Sequence, residues 1–179
     1  NWNVVWEHAL SSSNRNLLGA RVQWNGSLTE TTFTVASLAA DERNPSCTAI
    51  LDDTGGIRPW MVSYEYDNGP YGWDVRCRTL NNTSVLNTLD LAEQFSNGGD
   101  EVTPSCDSDG TQFAVVYSIY SVPALVGRLR LSSLTCINGV LDVNEGDLVV
   151  SQADTATNYG PRVATNRSSG SPLDDALVV

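Results

Sequence analysis

The chain has 179 residues, a mass of 19.3 kDa and a formal charge of −11, and its ten basic residues are all arginine. An acidic, lysine-free surface lacks the basic face that nucleic acids need and the polybasic patch that anionic membranes attract. No apolar run approaches the roughly 20 residues that span a bilayer as a helix.

The chain opens on Asn1, with no basic and apolar leader ahead of it, so the sequence reads as a processed protein or part of a longer one. Few charged residues and much Asn, Ser, Thr and Gly suit a secreted or cell-surface protein. Four Asn-x-Ser/Thr triplets begin at Asn25, Asn81, Asn82 and Asn166.

In chain order, the first apolar strand is Val4-Val5-Trp6-Glu7-His8. An alternating strand from Leu17 to Trp24 follows, then Thr32 to Val35. The pattern then restarts at a proline three times. The starts are Asn44-Pro45-Ser46-Cys47, Thr103-Pro104-Ser105-Cys106 and Gly160-Pro161-Arg162-Val163, spaced 59 and 57 residues apart. After each start comes a turn rich in Asp, Gly or Ser: Asp52 to Gly56, Asp107 to Gly110, and Ser168 to Pro172. The next strands are Trp60 to Tyr66, Phe113 to Ser118 and Ala176 to Val179. Third strands, Trp73 to Leu80 and Val126 to Leu131, alternate apolar residues with Arg76, Arg78, Arg128 and Arg130, which predicts one covered face and one wet face. Fourth segments lie at Leu89 to Leu91 and Asp147 to Val150. Helical spacing is confined to a turn or two at Leu38 to Glu42 and Leu89 to Phe95.

The expectation is therefore an all-β chain of four-stranded antiparallel units, a single repeat region over 1–179 with repeats 1–44, 45–103, 104–160 and the start of another at 161–179. It resembles secreted bacterial β-propeller repeats, with a Pro-led inner strand, an Asp-Gly turn, a Val-Val-Trp/Tyr second strand and an Arg-containing third. The resemblance implies propeller-type blades, about three of them. A closed ring typically takes 4–8 blades, so further chain or further subunits are expected to complete the fold. A β-sandwich of the same strands is the alternative.

Four cysteines, Cys47, Cys77, Cys106 and Cys136, fall in two pairs with equal spacing of 30 residues, which suggests disulfides Cys47–Cys77 and Cys106–Cys136 in an oxidising compartment. A first and a third strand lie ~9–10 Å apart, further than a disulfide reaches, which weighs against that pairing. Zinc lacks any Cys-x-x-Cys. Calcium is the one metal the sequence offers, through Asp107, Asp109, Asp142, Asn144 and Asp147.

No catalytic residue is assigned. The lone His8 has no Gly-x-Ser-x-Gly partner. Carboxylates that a glycosidase would need are present as Glu7, Glu65, Asp67, Asp74 and Asp90, but Glu7 and Glu65 recur at one repeat position and read as structural. Trp6, Tyr64 and Tyr117 recur likewise and read as core between units. The non-recurring loop carrying Tyr66, Asp67, Asn68, Tyr71 and Trp73 is the candidate contact surface for a protein or glycan. The functional expectation is a non-catalytic module for adhesion or assembly; the alternative is a carbohydrate-binding or glycan-processing propeller.

Overall fold

A computed structural model describes residues 1–29, 31–51, 57–91, 99–121, 126–150, 160–165 and 176–179. The chain is all-β. Sheet I holds β1 (Trp2–Ser11), β2 (Asn14–Val22) and β3 (Phe33–Ala36). Sheet II runs β4 (Glu42–Ala49), β5 (Trp60–Asp67), β6 (Trp73–Asn81) and β7 (Ser84–Asp90). Sheet III repeats that order with β8 (Asp100–Ser108), β9 (Gln112–Ser121), β10 (Val126–Ile137) and β11 (Val140–Val149). Sheet IV is described as β12 (Val163–Thr165) and β13 (Ala176–Val178). Every pairing is antiparallel between neighbours in sequence. Short turns enforce this: Asn138-Gly139, both at positive φ, joins Ile137 to Val140 as a two-residue hairpin.

The sheets pack face to face in chain order. Leu17, Val35 and Ala36 of sheet I meet Trp60, Val62, Tyr64 and Tyr66 of sheet II. Met61, Val75 and Cys77 on the other face of sheet II meet Phe113, Val115, Tyr117 and Ile119 of sheet III. Ala114 and Val116 of sheet III meet Val163 and Val178 of sheet IV. A strand covered on both sides loses its alternation, and β5 is buried at every position from Trp60 to Tyr66. The leading strands of successive sheets are also neighbours: β8 packs against β4, β5 and β6, and against β12. No closed sheet occurs among the described residues.

Several expectations need correction. The face of β6 that carries Arg76 and Arg78 is not wet. The Arg76 guanidinium lies 3.8 Å from the Tyr66 ring centre and pairs with Asp90, while Arg78 sits over Tyr64 and donates to the Val35 carbonyl at 2.6 Å. Arg130 is buried as well, at 7% exposure. Residues 38–42 form no helical turn; the chain bends and enters β4, with the Leu38 N–H held by the Glu42 carboxylate at 2.7 Å. The turns expected at Asp52 to Gly56 and Ser168 to Pro172, and most of the segment Leu89 to Phe95, lie outside the described residues.

The cysteines are thiols, and neither expected disulfide is present. Cys47 pairs across to Val62, which pairs to Arg78, whereas Cys77 pairs to Ser63. Cys47 and Cys77 therefore project from opposite faces of sheet II. Cys106 sits opposite Val115 and thence Ser132, four residues along β10 from Cys136, or ~13 Å. Only Cys47 is exposed. Iodoacetamide on the native protein is expected to add one label, at Cys47, and four after unfolding; a mass spectrum with no added label in the unfolded, unreduced chain would contradict this arrangement.

Candidate functional site: the repeated strand junction and its cavity

The proline of each start cannot donate to the ladder; Pro45 and Pro104 lie inside β4 and β8, three and four residues after those strands begin, and both strands bulge there. The register slips between Arg43 and Ser46 in β4, and between Val102 and Ser105 in β8. The residue before each proline is left-handed: Asn44 at φ 52°, Thr103 at 53° and Gly160 at 65°. This is ordinary for Gly, tolerable for Asn and uncommon for a β-branched Thr.

The preceding sheet holds these residues in place. The Asn44 N–H donates to Glu7 at 2.8 Å, and the Thr103 N–H donates to Glu65 at 2.6 Å. Glu65 is fully buried and also accepts from Arg43 Nε at 2.5 Å and Asn44 Nδ2 at 2.7 Å. At the third junction Ser118 stands where the glutamates stand, and the left-handed residue is Gly160. The position that loses its carboxylate thus carries the residue with no side-chain strain to hold. The repeated Glu7 and Glu65 work as junction fasteners.

A second fastener follows the proline. Ser46 Oγ accepts the Cys106 N–H at 3.1 Å, and Ser105 Oγ accepts the Val163 N–H at 3.4 Å. These bonds tie each leading strand to the next. A third was missed in the sequence, although its signal was there: Asp41-Glu42 and Asp100-Glu101 stand three and four residues before Pro45 and Pro104. Asp41 takes Arg15 at 3.2 Å, and Asp100 takes the Trp73 N–H at 3.0 Å. Glu42 takes the Leu38 N–H, and Glu101 the Val75 N–H at 3.5 Å.

Glu42 is fully buried, and desolvation raises its carboxyl above the usual carboxylate range against the opposing pull of the Leu38 N–H and Arg78. A native pKa above the unfolded one means that the folded state holds the proton more tightly. Stability is therefore lost as pH rises through that interval. Glu42→Gln keeps an acceptor for Leu38 and cannot ionise. Its stability relative to wild type, read by urea unfolding, is expected to improve as pH rises above about 4, the ordinary value of a glutamate carboxyl.

The three proline starts line one cavity of about 340 Å³, bounded by Asn44, Pro45, Ser46, Thr103, Pro104, Ser105, Gly160 and Arg162. Three separate stretches of sequence meet there because successive leading strands lie side by side.

The other candidate residues are less assembled. In the loop singled out as a contact surface, Tyr66 is 5% exposed, and Trp73 lies under the Arg43 guanidinium at 3.5 Å. Asp67 accepts the Gly69 N–H at 2.9 Å, and Asn68 donates to Asp74 at 2.5 Å. The polar groups thus build the turn itself, including the short 3-10 segment Gly69–Tyr71, and Tyr71 alone presents its ring, at 79% exposure. The calcium candidates do not converge. Asp109 Oδ1 closes the β8–β9 turn through Thr111 and the Gln112 N–H, and Asp107 binds the Thr165 N–H at 2.8 Å. Asp142 and Asn144 lie on β11, at the opposite edge of sheet III from β8, ~14 Å away. The side chain of Asp147 lies outside the described residues. Among the described residues no group of three or more His, Cys, Asp or Glu could hold a metal ion. His8 stands exposed on β1 opposite Asn16, and Asp90 is paired with Arg76.

No family model, curated protein or solved structure matches the chain.

Proposed function

We propose that the chain is a run of propeller-type blades that acts as a non-catalytic assembly module, secreted or at the cell surface. The observation that carries this reading is the outer face of sheet I. By register and contacts, β1 and β2 occupy the places of β5 and β6, so Trp6 is the counterpart of Tyr64 and Tyr117. Those tyrosines are fully buried against the sheet that precedes them. On sheet I the same face presents Trp2 at 57% and Val4 at 43% exposure, with Trp6 half-buried. The edge of β1 that β4 and β8 cover in sheets II and III carries no strand among the described residues.

An apolar face of this kind marks an interaction surface, and an open edge accepts a strand. The occupant is a sheet from a second copy of this chain. The junctions inside the chain supply the pattern: a face packed on a face, with a Pro-led strand beside it. Compartment rests on composition, since the cysteines give no disulfide. The carbohydrate-binding alternative retains only Tyr71 from its loop.

Sedimentation velocity over a concentration series tests the proposal. Species larger than 19.3 kDa are expected, and Trp2→Asp with Val4→Asp is expected to return them to monomer without lowering the unfolding midpoint. A wild-type monomer at every concentration, or assembly indifferent to the double variant, would overturn it.

A further inference from the structure

We infer that the cavity at the three proline starts binds a small carboxylate, held by Arg162. The repeat itself singles out this residue. Serine follows the proline in the first two starts, and Arg162 follows it in the third. Ser46, Ser105 and Arg162 thus occupy equivalent positions around one cavity, and one of the three has become a cation.

The lining favours an anion. Pro45, Pro104 and Gly160 contribute no charge, Asn44, Ser46, Thr103 and Ser105 contribute neutral polar groups, and no carboxylate is among the described lining residues. In a chain with a net charge of −11 that is an uncommon stretch of surface. The two glutamates bonded to residues of this lining are engaged: Glu65 by Arg43, Asn44 and Thr103, and Glu7 by the Asn44 N–H. The Arg162 side chain donates from Nη1 to the Pro161 carbonyl at 3.0 Å, and among the described residues no carboxylate lies within ion-pair distance of it. Its remaining N–H groups suit the planar, two-point recognition that arginine gives a carboxylate. Ser46 and Ser105 accept backbone N–H groups, so their own hydroxyl protons can serve as donors to an anion.

Size narrows the ligand. A volume of about 340 Å³ is near the lower end of small-molecule sites, enough for one sugar acid or a short organic acid and too small for a polymer. Both sources share the carboxylate, and the test separates them. The full chain is titrated calorimetrically with glucuronate, with succinate and with neutral glucose. Saturable binding of glucuronate or succinate, and none of glucose, is expected; which acid binds identifies the source. Arg162→Ser, which restores the residue of the other two repeats, is expected to weaken binding roughly ten- to a hundredfold, the worth of a charged hydrogen bond. Arg162→Gln, which keeps length and polarity, is expected to do the same, and unchanged unfolding midpoints for both variants show that the junction is intact. Failure of both acids to bind at millimolar concentration, or binding by the two variants as tight as that of wild type, would overturn the inference. The outcome is independent of whether copies assemble through sheet I.

Discussion

Tyr117→Ala is expected to lower stability by about 3–5 kcal/mol, and Tyr64→Ala by a similar amount. Both rings are at 0% exposure between two sheets. Tyr117 packs in the cluster shared by sheets II and III, with Met61, Val75 and Leu134 around it. Tyr64 lies between sheets I and II, under Arg78. Truncation leaves a cavity that two rigid sheets cannot close, so the lost transfer energy and the cavity cost add. For a domain whose whole stability is about 5–15 kcal/mol, that is a large fraction. Trp6→Ala is the internal control. Its ring stands at the equivalent position, but no described sheet covers it, and the expected loss in the monomer is about 1 kcal/mol or less. Urea unfolding of the three variants should show two large shifts of midpoint and one small one. Equal losses at all three sites would mean that Trp6 is covered as fully as the tyrosines.

The contrast between these residues shows what sequence can and cannot carry. All three were legible as members of one repeat position, because Val-Val-Trp, Val-Ser-Tyr and Val-Val-Tyr share one pattern. The strand order was legible for the same reason: period-2 runs broken by Pro, Asp and Gly leave few alternatives for neighbours in sequence. Burial at that position was not legible for Trp6, since it depends on the sheet before it and not on its own strand. The arginines of β6 failed similarly. Alternation of Arg with Val and Cys reads the same whether the arginine face meets water or two tyrosine rings and Asp90. The cysteines failed because equal spacing carries no information about which face a residue takes. A difference of one residue in strand register sends Cys47 and Cys77 to opposite sides of sheet II. The cavity has no local signature at all, since its walls come from sites about 58 residues apart that only the packing of leading strands unites. Its one sequence trace is Arg162 in a serine position.

Glu65 is where the junction between sheets II and III should be most sensitive to chemistry. Its carboxylate accepts from Arg43, Asn44 and the Thr103 N–H while wholly buried. Glu65→Ala removes one acceptor and strands three donors, one of them charged, for an expected cost of about 3 kcal/mol or more. Glu65→Gln should fall between, because an amide oxygen still accepts one donor while its NH₂ meets the others. The equivalent Glu7→Ala should cost no more than about 1 kcal/mol, since Glu7 is partly exposed and its arginine, Arg15, stands 3.7 Å away. The third junction shows how the protein does without the carboxylate, with Ser118 and Gly160 in the two places. Glu65→Ser combined with Thr103→Gly copies that solution. Glycine adopts the φ of 53° without the strain of a β-branched side chain, so the second change should recover about 1 kcal/mol of what the first removes. In wild type, where Glu65 already secures Thr103, Thr103→Gly alone should recover less than it does in the Glu65→Ser background. A four-member mutant cycle in urea measures that difference directly. Strict additivity would separate the left-handed backbone from the carboxylate and show that the two merely coincide at each repeat.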